Sequence, residues 1–177
     1  GGATIVIVAE YKTPKPAVRE SGLRLLTSTF RTSQPDVFDL RLNSHSRLNL
    51  IQALIQAIDA GADEALMLDP NGFVASCNST NFFIVRDGVA ITPPVQSNVL
   101  EGIVRRSVIQ LLRDELGVTV VERNIDRSEV YLADECFMCG TGVQICAITK
   151  VEHRAIGAGG MGDITGRLRA LFFDIVA

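Results

Sequence analysis

The sequence predicts a mixed α/β domain, α+β in its connections, and three observations carry that prediction. First, Asp87-Gly88 stands between a β-rich run, 81–85, and a second one, 89–92, which is the strongest short signal for a β-hairpin. Second, two stretches, up to about residue 60 and 103–116, place apolar residues at helical spacing, and each stops at a glycine, Gly61 and Gly117. Third, two more β-type runs, 135–139 and 143–149, flank Gly140-Thr141-Gly142. With 177 residues and 47% hydrophobic content, the chain has room for one substantial domain and a real core.

Taken in order, Ile5-Val6-Ile7-Val8 reads as a buried strand. Residues 11–19, with Pro14 and Pro16, read as a connector or short helical turn. Residues 22–32 fit either strand or helix, and their serine–threonine alternation favours strand. A loop follows at 33–36. Ser44 or Ser46 is expected to cap a helix running to about Ala60, with Leu48, Ile51, Leu54, Ile55 and Ile58 as its buried stripe. Residues 65–68 form a short buried strand, and Asp69-Pro70-Asn71-Gly72 a turn. Pro93-Pro94 ends the strand that returns from the hairpin. Helix 103–116 is expected to bury Val104, Val108, Leu111, Leu112 and Leu116, with Arg105-Arg106 on a solvated face. A strand at 118–123, a turn or helix started by Asp126, and a terminal helix, 165–176, complete the set.

Several function classes are disfavoured. A net charge of −3 gives no electrostatic reason for nucleic acid or an anionic membrane. No apolar run approaches a membrane span, and no signal peptide is expected. A cytoplasmic location with reduced thiols is the default expectation. Cys136-Phe-Met-Cys139 has metal-pair spacing, but Cys77 and Cys146 form no second close pair, so no metal is expected. Residues 157–162 match G-x-G-x-x-G literally. Only 15 residues follow, too few for a dinucleotide unit, so the match reads as a glycine-rich loop.

The informative stretch is 72–106. Gly102 precedes a helix, and a glycine there leaves backbone N–H groups free for an anion, typically phosphate. Gly140-Thr141-Gly142 is a second turn that can present N–H groups and a hydroxyl to a phosphate. Cys77-Asn78-Ser79-Thr80-Asn81 supplies small polar side chains that could line a pocket. Asn81-Phe82-Phe83, Thr92-Pro93-Pro94, Gly102-Ile103, 61–66, 132–135 and 140–142 together resemble the class IV, fold-type IV, pyridoxal-phosphate aminotransferases, a family that includes the branched-chain aminotransferases. The resemblance runs along nearly the whole chain.

That resemblance implies the large C-terminal pseudo-barrel domain of the D-amino acid aminotransferase-like fold, with residues 1–10 its start or a linker strand and 11–177 the cofactor-binding domain. The family's smaller N-terminal domain is expected to be absent from this stretch. It further implies pyridoxal 5'-phosphate (PLP), an amino acid or 2-oxo acid as substrate, and a homodimer. Ser76, Asn78, Ser79, Thr80, Asn81, Gly102, Ile103, Val104, Gly140, Thr141 and Gly142 would be cofactor-binding, Val104 replacing the family's usual threonine.

Two positions depart from the family pattern. The lysine that anchors the cofactor covalently and moves the substrate proton falls on Asn43, and an asparagine amide cannot take that role. The carboxylate beside the pyridine nitrogen falls on Ser76, which can donate a hydrogen bond but supplies no charge. The expectation is a class IV aminotransferase-like protein, either transaminating or an inactive relative that has lost PLP or holds a ligand without a covalent link. A purely structural, dimerising role is the third reading. Without the resemblance, Ser76 could face water, Asn81 could satisfy a turn and Thr141 could cap a β-bend. His45 reads as a helix-entry histidine with no special role.

Overall fold

The computed structural model describes residues 2, 4–9 and 21–176. The connector expected at 11–19 lies outside them. The strands are β1 (Leu23–Arg31), β2 (Glu64–Leu68), β3 (Val74–Cys77), β4 (Asn81–Arg86), β5 (Val89–Thr92), β6 (Val120–Glu122), β7 (Glu135–Gly140), β8 (Gln144–Val151) and β9 (Arg154–Ala155). The helices are α1 (Leu48–Asp59), α2 (Ile103–Gln110), α3 (Arg127–Tyr131) and α4 (Asp163–Val176). One mixed sheet runs in the order β3-β2-β1-β8-β7-β4-β5-β6, with β9 paired to β8. Pairs β1–β2, β1–β8 and β5–β6 are parallel and the rest antiparallel.

The hairpin forms as its sequence demands. Asp87 and Gly88 both take positive φ, 51° and 74°, the backbone of a two-residue type I′ turn. Strand β4 is buried on both faces, so its side chains alternate between two cores rather than between core and water. Phe82 and Ile84 join a cluster with Leu66, Ile125, Val130 and Ile148. Phe83 and Val85 join the opposite cluster, with Val108, Leu112, Leu168 and Phe172.

Helix α1 departs from expectation in two ways. Arg47 is its N-cap and no side chain caps it, so neither Ser44 nor Ser46 takes that role. Its buried face is Leu50, Ala53 and Ala57, whereas Leu48, Ile51, Ile55 and Ile58 are more than half exposed. The reason is size. Alanines at 53 and 57 let the helix lie close on β1 and β2, against Ala65, Met67 and Leu26, so the bulkier stripe faces outward. At its end the reading holds: Ala62 N–H donates to Ala57 C=O (2.8 Å) and Gly61 N–H to Ile58 C=O (2.9 Å), the two bonds of a Schellman stop.

Helix α2 keeps α geometry only to Gln110 and then widens into a π-helical turn, Leu111–Glu115. Ile109 joins its core face, while Val104 and Leu116 are only partly buried. Arg105 is not on a solvated face. It is 2% exposed and donates to Pro93 C=O (3.0 Å) and Glu122 Oε2 (2.8 Å), tying α2 to the β5–β6 edge. Residues 4–9 carry no regular structure and are exposed, so the predicted N-terminal strand is not formed. A Val/Ile run becomes a strand only where it finds a partner edge, and no described strand pairs with it. Strands β3 and β9 escaped the reading. The first is the return arm of the Asp69–Gly72 turn, where Asp69 Oδ1 accepts the N–H of Asn71 and of Phe73, each at 2.9 Å. The 157–162 loop is packed: Glu135 Oε2 accepts from Thr165 N–H (2.8 Å) and Oγ1 (2.6 Å), holding the start of α4.

Candidate functional site

Antiparallel pairing of β4 with β7 sets Asn81 opposite Cys139. The entry to β4 and the turn leaving β7 therefore lie at the same end of the sheet. The loop before α2 is drawn to that end by Asn81, whose Nδ2 donates to Leu100 C=O at 2.9 Å. Only glycine fits at 102, because a Cβ there would sit 2.5 Å from Asn81 Oδ1. Asn98, at φ 56°, accepts the Leu40 N–H on Oδ1 (2.7 Å) and donates from Nδ2 to Ser33 C=O (2.8 Å) and Phe38 C=O (2.9 Å). These bonds fasten the 33–40 segment over the same end.

The result is a cavity of about 260 Å³. Every residue singled out from the sequence lies on its wall: Asn43, Ser76, Asn78, Ser79, Thr80, Asn81, Gly102, Ile103, Val104, Gly140, Thr141 and Gly142. The wall also includes Leu40, Arg47, Leu50, Asn98 and Leu100, which sequence reasoning missed. They come from loops with no hydrophobic period. The one signal was Asn98, an asparagine able to take the left-handed backbone just ahead of the Gly102 turn.

The polar wall residues divide by what already holds them. Asn78 Oδ1 accepts the Ala65 N–H (2.8 Å), extending the β2–β3 ladder by a side chain. Thr80 Oγ1 points at Met138 Sδ (3.2 Å). Ser79 Oγ donates to Glu64 Oε1 at 2.6 Å. Burial pushes the Glu64 carboxyl above its ordinary range, and the Ser79 hydroxyl opposes that shift. By contrast, the hydroxyls of Ser76 and Thr141 bond to no other described residue. They are the ones open to a ligand, together with the first-turn N–H groups of Ile103 and Val104, which have no carbonyl within the helix to bond.

The cysteines do not form a metal or redox pair. Cys136 and Cys139 are three residues apart on one strand and belong to opposite cores. Burial pushes the Cys139 thiol up to about 12 and raises Cys136 and Cys77 as well, so they are inert packing thiols. Among the described residues, no group of three His, Cys, Asp or Glu is placed to hold a metal.

Residues 1–151 match the family profile of class IV amino-transferases. The chain belongs to the class IV aminotransferases. Among curated family members, it is 40% identical over 159 residues to a branched-chain-amino-acid aminotransferase of Pseudomonas aeruginosa, covering 89% of this chain and 51% of that protein. The crystal structure of Escherichia coli branched-chain amino acid aminotransferase superposes with a TM-score of 0.88 at 32% identity, covering 91% of this chain and 53% of that one. The Thermobaculum terrenum branched-chain aminotransferase in its PLP form gives a TM-score of 0.88 at 35% identity, covering 92% of this chain and 53% of that one. The class IV chain described here thus spans about half the length of these family members. The fold is the fold-type IV domain that the sequence implied.

The wall fits PLP at one end and not at the other. Two turns rich in N–H donors and the Thr141 hydroxyl suit a phosphate, and the Ser76 hydroxyl suits a ring nitrogen. Nothing described suits a covalent anchor. The chain has three lysines. Lys12 and Lys15 lie outside the described residues. Lys150 is exposed near the far end of β8, about 20 Å along the strand from the 140–142 turn at the usual rise per residue. Asn43 accepts a hydrogen bond on Oδ1 from Arg47 Nη2.

Proposed function

We propose that this chain is the cofactor-binding part of an aminotransferase-type protein that acts on branched-chain-like amino acids and their 2-oxo acids. It holds PLP by its phosphate and ring, without a covalent bond. The observation that carries the reading is the convergence on one cavity of two phosphate-type turns, the Ser76 hydroxyl and Asn43. When bound, PLP supplies an electron sink for amino-acid substrates.

The chain's own residues have separable parts. Amides of Ile103 and Val104, with the α2 dipole behind them, bind the phosphate dianion. Gly140-Thr141-Gly142 closes on it from the other side, Thr141 donating its hydroxyl. Ser76 orients the ring through its nitrogen and leaves that nitrogen uncharged. Leu40, Leu50 and Leu100 supply apolar wall for the ring or for a branched side chain. Asn43 provides a hydrogen-bonding amide in place of an anchor and moves no proton. A homodimer belongs to the same reading, since self-association would cover the outward stripe Leu48, Ile51, Ile55 and Ile58.

Equilibrium titration of the protein with PLP tests this. Saturable binding is expected, weakened competitively by inorganic phosphate, with full release of the cofactor on dialysis. A failure to bind would overturn the reading. Transaminase turnover equal to that of lysine-bearing relatives would overturn its non-covalent part.

A further inference from the structure

Arg47 is the only ionised side chain on the cavity wall. It is half-buried. Its Nε donates to Ser44 C=O at 2.7 Å and its Nη2 to the Asn43 side chain, so the guanidinium is held by its own loop. Among the described residues it forms no ion pair with a carboxylate, and its Nη1 donates to none of them. A fixed cation with an open donor in a pocket of neutral dipoles favours an anion, and the planar guanidinium matches a carboxylate in particular. Arg47 enters from the 40–50 segment, whereas the phosphate donors enter from α2 and the β7–β8 turn. The cavity therefore has two separate places for negative charge.

We infer that Arg47 receives the carboxylate of an amino acid attached to the pyridoxyl ring, so that the site selects ligands anionic at both ends. The inference rests on the cofactor reading above and names its substrate class: a phosphopyridoxyl amino acid in preference to the bare cofactor. Pyridoxamine phosphate, with an ammonium where the amino acid would be, is the disfavoured form because it brings a like charge to Arg47. Leu40 and Leu50 flank the same segment and offer apolar surface for the amino acid side chain.

Calorimetric binding to the whole chain tests this with stable probes and needs no turnover. The probes are N-(5'-phosphopyridoxyl)-L-leucine, its leucinamide counterpart, pyridoxamine phosphate and PLP. The leucine adduct is expected to bind about tenfold or more tighter than both the leucinamide adduct and pyridoxamine phosphate, the size of one charge-assisted pair. Arg47→Gln should reduce that preference to within about twofold while leaving the PLP Kd within about twofold. Arg47→Lys should keep part of the preference. Equal affinity for the acid and amide adducts overturns the inference, whatever the variants do. So does a preference untouched in Arg47→Gln. If PLP binds but the preference is missing, only the role of Arg47 falls. If no phosphopyridoxyl compound binds, the cofactor reading falls first and takes this inference with it.

Discussion

Asn43→Lys is expected to turn a cofactor that washes out into one that stays. Incubation with PLP followed by borohydride reduction should place the phosphopyridoxyl group on residue 43 of the variant, found by peptide mass spectrometry. The wild-type chain should carry none there. The side chain at 43 already stands on the cavity wall, and a lysine reaches further into it than asparagine does. Arg47, now in contact with Asn43, would sit beside the new amine. A like charge at that range lowers the amine's pKa, which favours the neutral form that attacks an aldehyde. Amino-group transfer is not expected from this change alone, because Ser76 leaves the ring nitrogen without a carboxylate partner. Binding of PLP with no adduct at 43 would show that this residue does not occupy the anchor position.

The largest expected loss of stability is at Phe83. Its ring is fully buried and stacked on Phe137, with centroids 4.8 Å apart and planes within 8°. Around it pack Val108 and Leu112 of α2 and Leu168 and Phe172 of α4. Phe83→Ala removes that stack and opens a void where both helices meet the sheet. Such truncations cost about 3–5 kcal/mol. For a domain of this size that corresponds to a fall of roughly 10 °C in Tm. Chemical denaturation should show the loss without a change in m-value, and a cost below about 1 kcal/mol would contradict the packing described.

Much of this architecture was legible because local signals and tertiary demands agree. Asp87-Gly88 dictates its turn, Gly61 its helix stop, and the Asp126 and Glu129 side chains form the reciprocal cap expected where α3 begins. Legibility failed where tertiary contacts chose between acceptable local options. Helix α1 carries two apolar faces, one of bulky residues and one of alanines, and periodicity alone favours the bulky one. The flat contact with β1 and β2 takes the alanines. Arg105 looks like a surface charge until the Pro93 carbonyl and Glu122 are seen beside it.

The cavity shows the same division. Its glycine turns and small polar run could be read because each residue type has few other reasons to recur in that pattern. Arg47 and Asn98 could not, because an arginine ahead of a helix and an asparagine in a loop are ordinary. Only the fold brings them to the end of the sheet where β4 begins and β7 ends. Asn43 was identified by its alignment with a family lysine, and the fold sets it against the same cavity as the two turns.

A crystal structure of the protein soaked with PLP tests the central claim most directly. The account predicts the phosphate between the Ile103 and Val104 amides and Thr141, the ring nitrogen facing Ser76, and no density joining the cofactor to any side chain. A phosphate bound elsewhere, or a lysine joined to the cofactor in that cavity, would contradict it.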